Sequence, residues 1–330
     1  MLGVFIVPTG IGAEIGGHSG DATPAAKLIA AACDKLIIHP NVVNASDINE
    51  MTENMLYVEG SMLDRYLNEH INLYEVKSNR ILVATNPPVK NEIINAVSAA
   101  RATIGADIKI LVLQEPLVME AHIKNGVATG NIYGVEALLS QIRGCKYAFD
   151  VLVVSSQIKT DDDDVKSYLE CDGGINLWGG VEAKLSKILS KELYKPVFHA
   201  PIENSEFFKT YNEVTDPRKA AEMISMCYLH CCLKGAHKAP IIRYSGEGLP
   251  APDFMVTPHA VWGPPHKACR ERHIPIITVL ENRTVLNDAT ATQLIYADNY
   301  LEAAGIVLAI KQGLTLESIR RPLKATEILR

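Results

Sequence analysis

Short apolar runs alternate along the chain with longer stretches whose apolar residues recur every three or four positions. Runs that are apolar at successive rather than alternate positions predict strands buried on both faces, as in parallel sheets covered by helices. Leu2–Val7 is the first and stops at Pro8; Leu36–His39, Ile81–Thr85, Ile108–Leu113, Val151–Ser155, Pro196–His199, Phe254–Thr257 and Ile274–Leu280 follow. Helical spacing predicts a helix from Pro24, capped by Thr23, and others over Ser61–Asn68, Asn91–Arg101, Val135–Ile142, Trp178–Leu189, about Asp216–Lys234, Pro265–Arg272 and Asn299–Lys311, with Gly313 as the last C-cap. The expected fold is α/β: three layers, a mostly parallel sheet with helices on both faces, Rossmann-like. The 330 residues make either one continuous domain or two closely packed lobes, an N-terminal α/β lobe with a Gly-rich loop over 1–150 and a C-terminal α/β lobe over 151–330.

In an open parallel sheet the ligand lies beyond the carboxyl ends of the strands, so the residues that follow each strand are the candidate chemistry. After Leu2–Val7 comes TGIGAEIGGHSGDA. Such a loop lets backbone N–H groups approach an anion beside a helix N-terminus, which makes Gly12, Gly16, Gly17, His18, Ser19 and Asp21 ligand candidates. The competing reading is a tight structural turn, with Asp21 forming an Asx-turn. The loop is not a dinucleotide fingerprint, because the helix opens only near Pro24, and no Gly-Lys-Ser/Thr follows to make a Walker loop.

Asn41, Asn44, Asn86, Asn204, Asn282 and Asn287 follow other strands and offer paired amide donors and acceptors to a polar ligand. His39, His199 and His259, with Glu203 and Glu281, are candidate proton carriers. Strand-end histidines with Asp21 or Glu203 would also satisfy a divalent metal, although neither HExxH nor CxxC occurs. Serine chemistry lacks a GxSxG elbow, even though Ser19 lies between a histidine and an aspartate.

Composition narrows the classes. With 48% apolar and 21% charged residues the chain is not disordered, and a net charge of -6 argues against a nucleic-acid surface. The acidic run Asp161–Asp164 reads as a solvated loop. Seven cysteines without a regular framework, an apolar N-terminal run too short for a signal sequence and no run of 18 apolar residues together predict a reduced, cytoplasmic protein without a membrane partner. Cys227, Cys231 and Cys232 read as helix packing. The apolar C-terminal helices suit a homo-oligomer interface.

Three segments, PTGIGAEIGGHSGDATP (8–24), HPNVVNASD (39–47) and IPIITVLENRTVLN (274–287), carry a resemblance over nearly the full chain. They resemble the domain of unknown function 3326, a family of cyanobacterial, plant and bacterial proteins; the resemblance implies no particular reaction. GIGAEI is similar to the opening of hydroxythreonine phosphate dehydrogenases, but their metal-binding pattern has no counterpart here. The residues themselves lead to the expectation of an enzyme that acts on a small polar, anionic metabolite by general acid-base or hydrolytic chemistry. The alternatives are a metabolite-binding or regulatory protein without catalysis and a metal-dependent enzyme of the same architecture. A close strand-end His–Glu pair beside a vacant cleft favours catalysis, whereas histidines all satisfied by backbone favour a sensor.

Overall fold

The computed structural model describes residues 1–18, 21–170, 174–202, 213–224, 228–243, 246–288 and 294–329. In chain order its strands are β1 (Leu2–Phe5), β2 (Lys35–Ile38), β3 (Met55–Tyr57), β4 (Asn72–Tyr74), β5 (Arg80–Thr85), β6 (Asp107–Val112), β7 (Val118–Lys124) and β8 (Val127–Tyr133). Then come β9 (Val151–Ser156), β10 (Ile158–Lys159), β11 (Val197–Pro201), β12 (Ile241–Arg243), β13 (Phe254–Pro258), β14 (Ile276–Val279) and β15 (Ile295–Ala297). The apolar runs gather into two sheets, ordered β15-β14-β13-β1-β2-β3 and β11-β9-β5-β6. Every pairing within these two is parallel. Among the described residues, antiparallel pairing is confined to β7–β8 and β4–β12. The α/β class, the parallel strands and the helices on both faces therefore match the expectation. The strands form two parallel sheets rather than one, and each takes strands from both sides of residue 150.

Continuous apolarity is needed because successive side chains enter different cores. Val4 and Ile6 pack with the Gly60–Leu67 and Pro264–Glu271 helices, whereas Phe5 and Val7 join Ile29 and Val307 of the Thr23–Ala32 and Tyr300–Lys311 helices. In the second sheet Leu82 and Val154 meet the Val135–Arg143 and Gly179–Leu193 helices, while Val83 and Val153 enter the same core as Phe5. Leu229, Leu233 and Ala236 of the Tyr228–Lys238 helix lie in that shared core, so one hydrophobic mass ties the sheets together. Each fully buried Leu, Val or Ile contributes about 1.5–3 kcal/mol.

Several local expectations change. The first helix takes Thr23 as a helical residue and is capped by Ala22. Asp162, Asp163 and Asp164 form the first turn of a helix, Asp162–Glu170, where the positive N-terminal potential suits them, rather than a loop. The predicted helix over about Asp216–Lys234 is described as Ala220–Ile224 and Tyr228–Lys238; Cys227 lies outside the described residues. Gly313 does end the Tyr300–Lys311 helix region, with φ +67° just beyond the capping Gln312.

Candidate functional site

The segments after β1, β2, β3 and β13, the first three residues of β11 and one face of the Gly179–Leu193 helix border a single cleft of about 410 Å³. Its walls are largely apolar, with Ile6, Leu63, Phe198, Val261 and Trp262 among them. The polar groups that face it come from parts of the chain far apart in sequence.

At one wall stands a hydrogen-bonded series. His199, in the middle of β11, has Nδ1 2.8 Å from Glu182 Oε1 and Nε2 3.0 Å from Ser156 Oγ, at the end of the neighbouring β9. A carboxylate only accepts, so Nδ1–H donates to Glu182, and in the neutral ring Nε2 accepts from the Ser156 hydroxyl. Glu182 sits in the first turn of its helix, which begins where Asn176 Oδ1 accepts from the N–H groups of Trp178 and Gly179, both at 3.0 Å. Exposure gives the series a direction: the Glu182 side chain is 25% exposed, that of His199 1%, and Ser156 as a residue 1%. Glu182 is the outer member and the serine hydroxyl the inner one. The pair also borders a side chamber of about 70 Å³ that reaches Glu222, Tyr228 and Cys232.

Two other histidines line the cleft with both ring nitrogens facing protein groups. His39 Nε2 faces the Val7 N–H at 3.1 Å and its Nδ1 faces the Asn41 N–H at 3.2 Å. His266 has Nδ1 3.2 Å from the Gly263 N–H and Nε2 2.9 Å from Thr257 Oγ1. Burial pushes both imidazoles down to about 4, so each is neutral at pH 7. Glu59 caps the Gly60–Leu67 helix, accepting from the Ser61 N–H at 2.8 Å, the Met62 N–H at 3.1 Å and the Ser61 hydroxyl at 2.5 Å, while burial raises its pKa. Asp64, farther along that helix, is raised to about 6 by burial, against the pull of the Lys187 charge across the cleft wall.

Of the sequence candidates, His39, Asn41, Asn44 and His199 line this cleft. The glycine-rich loop runs past it, contributing Pro8 and Thr9, but Gly12, Gly16, Gly17, His18 and Asp21 lie outside the lining. Several of its backbone groups are bound within the protein. Gly16 N–H donates to Asp21 Oδ1 at 2.7 Å, Ile15 N–H to Asn282 Oδ1 at 3.0 Å and Glu14 N–H to the Arg283 carbonyl at 2.8 Å. Asn41 Nδ2 spans the Val7, Pro8 and Gly16 carbonyls, and Asn282 Nδ2 donates to the Ile15 carbonyl and the Tyr300 hydroxyl. Gly17 is required by packing, since a Cβ there would sit 2.0 Å from the Ala13 carbonyl oxygen.

The remaining candidates stand elsewhere. His18 is buried against Tyr168, with Nδ1 3.1 Å from the phenol oxygen, and burial beside Lys219 holds it at about 4; burial raises Asp21 to about 7. Asn86 exchanges two 2.8 Å bonds with the backbone of Leu117. Glu281 accepts from the Tyr300 N–H at 2.9 Å, His259 packs beside Tyr296, and Asn287 is exposed. Ser19, Glu203 and Asn204 lie outside the described residues. Among the described residues no group of three or more His, Cys, Asp or Glu side chains is placed to hold a metal ion, and His259 does not join His39 and His199 at the cleft. Strand-end logic passes over Glu182, Asp64 and Lys187 because they ride on helices, and over Glu59 because the run before it, Met55–Tyr57, is too short to announce a strand.

The family described as "Protein of unknown function (DUF3326)" matches residues 2–320. An uncharacterized lipoprotein of Synechococcus sp. (strain ATCC 27144 / PCC 6301 / SAUG 1402/1) is 31% identical over 332 aligned residues, covering 95% of this chain and 92% of that protein. The relative's description as a lipoprotein overturns the expectation of a cytoplasmic protein. Among the described residues no helix is long and apolar enough to cross a membrane. No solved structure matches the chain.

Proposed function

The chain belongs to the DUF3326 family, and from that starting point we propose that it is an enzyme acting on a small polar metabolite by general acid-base chemistry, with Glu182 and His199 as its proton-transferring pair. The observation that carries this reading is the 2.8 Å contact between His199 and Glu182 at the wall of a cleft, with Ser156 fixing the other ring nitrogen. A carboxylate oriented by an imidazole and partly exposed at a cavity is placed to take a proton from a bound molecule and return it, work that contributes roughly 10²–10⁴-fold to a rate. The serine hydroxyl stands behind the imidazole, which supports an orienting part for it rather than a nucleophilic one.

Binding without turnover fits His39 and His266, whose ring nitrogens face backbone N–H groups and Thr257, but not His199, whose partners are both side chains. The site sits beyond the carboxyl ends of β1, β2, β3 and β13 of one parallel sheet and against β11 of the other, which supports a cleft between two Rossmann-like halves. The expectation of a purely anionic ligand rested on the glycine-rich loop. The N–H groups of Glu14, Ile15 and Gly16 in that loop are bound within the protein, and the described lining holds the carboxyl groups of Glu59, Asp64 and Glu182 beside the ammonium of Lys187.

Comparing a cellular metabolite extract after incubation with the wild-type protein and with Glu182→Gln tests the reading. A compound consumed by the wild type and left intact by a folded Glu182→Gln protein is the expected result. Equal consumption by both proteins removes the pair from the chemistry.

A further inference from the structure

Outside the Glu182–His199 pair, the cleft presents two opposite charges that the fold brings near each other and does not join. Asp64 on the Gly60–Leu67 helix and Lys187 on the Gly179–Leu193 helix both line it. These helices pack together, and their spacing is set one residue along, where Arg65 Nη2 donates to Ser190 Oγ at 2.7 Å. Among the described residues, neither Asp64 nor Lys187 has a side-chain hydrogen bond or an ion pair within 4.0 Å, although the Lys187 charge acts on Asp64. The other carboxyl groups in the cleft have partners, Glu59 at its helix end and Glu182 on His199. A half-buried carboxylate without a hydrogen-bonding partner is costly to keep, and a ligand cation or donor that completes it recovers that cost.

We propose that the cleft binds a zwitterionic small molecule, one that carries an ammonium group and an anionic group on an apolar body, with Asp64 holding the ammonium and Lys187 the anion. The apolar body has Phe198, Trp262, Leu63 and Val261 to lie against. The volume of about 410 Å³ admits a molecule of amino-acid size or somewhat larger. The proposal rests on the acid-base reading only in placing its ligand in the same cleft. It assigns binding contacts and no chemical step.

Three probes with related aromatic bodies test it on the full chain by isothermal titration: phenylalanine with both charges, 3-phenylpropylamine with the cation and 3-phenylpropionate with the anion. Phenylalanine is expected to bind at least about tenfold more tightly than either singly charged probe. Asp64→Asn should weaken phenylalanine and the amine while leaving 3-phenylpropionate unchanged. Lys187→Gln should weaken phenylalanine and 3-phenylpropionate while leaving the amine unchanged. Circular dichroism confirms that each variant is folded, and Lys191→Gln, exposed on the same helix and outside the cleft lining, serves as a second folded control that should leave all three affinities in place. Equal affinity for the three probes, no binding by any of them, or variants that weaken all three alike would each overturn the proposal. Glu182→Gln separates it from the acid-base reading. Retained phenylalanine binding with turnover lost upholds both, retained binding with turnover unchanged sinks the acid-base reading alone, and failure of the Asp64 and Lys187 variants to discriminate the probes sinks the zwitterion alone.

Discussion

Replacing His39 with glutamine should remove a pH-dependent part of the stability, and the size of the effect follows from the geometry around the ring. Its two nitrogens face the N–H groups of Val7 and Asn41 at 3.1 and 3.2 Å. A neutral imidazole accepts at one nitrogen and an imidazolium at neither, so protonation sets two ring N–H groups against two backbone N–H groups in a buried site. Burial holds the folded-state pKa at about 4, against the ordinary value of 6.5. Because the folded value is the lower one, the unfolded chain takes up the extra proton first. The contribution is complete above pH 6.5 and is lost as the pH falls toward 4, to a total of about 3 kcal/mol. His39→Gln cannot titrate, and at pH 8 its less well fitted hydrogen bonds cost about 1–2 kcal/mol relative to wild type. The difference should shrink below pH 6.5 and change sign near about pH 5. Urea unfolding of both proteins at pH 8, 6 and 5, at constant ionic strength, measures it. A difference that stays the same from pH 8 to pH 5 would refute the claim that His39 is neutral and proton-averse in the folded protein.

Other outcomes follow from the same structure. Asn282→Ala removes the bonds to Ile15 N–H, the Ile15 carbonyl and the Tyr300 hydroxyl at once. It should lower the unfolding free energy by about 2–4 kcal/mol and speed amide exchange at Ile15 before exchange in the strands rises. Gly180→Ala puts a Cβ 2.1 Å from the Ala128 carbonyl oxygen, a backbone atom that cannot rotate away. The Gly179–Leu193 helix would have to lift off β8, at about 3 kcal/mol or more, and thermal unfolding of the variant should show a clear fall in Tm.

Much of the architecture is legible in the sequence because strands covered on both faces leave continuous apolar runs, and the runs ending at Phe5, Ile38, Thr85, Ser156 and Val279 all do so. What a run cannot say is which sheet it joins. β1 and β5 look alike in composition and belong to different sheets, a choice made by contacts between residues far apart in sequence. The β7–β8 hairpin did leave a signal, Asn125-Gly126 between two strand-like segments. Both turn residues have positive φ, +53° and +75°, which is where Asn-Gly is favoured.

At the site, His199 is readable as a polar residue at the end of an apolar run. Its partner Glu182 is not, since it lies on the helix before that strand, and Ser156 falls one residue past the run read as Val151–Ser155. The glycine-rich loop invites an anion-binding reading because only its own residues are visible in sequence. Asn282, 267 positions from Ile15, takes up the N–H and the carbonyl of that loop residue instead.

The most direct test of the acid-base assignment compares two variants on whatever compound the wild type consumes. Turnover by Glu182→Gln should fall by about 10²–10⁴-fold, while Ser156→Ala, which removes only the inner hydroxyl that orients His199, should keep most of the wild-type rate. Abolished turnover in Ser156→Ala together with near-normal turnover in Glu182→Gln would contradict it, and would make the buried serine, not the outer glutamate, the reacting group.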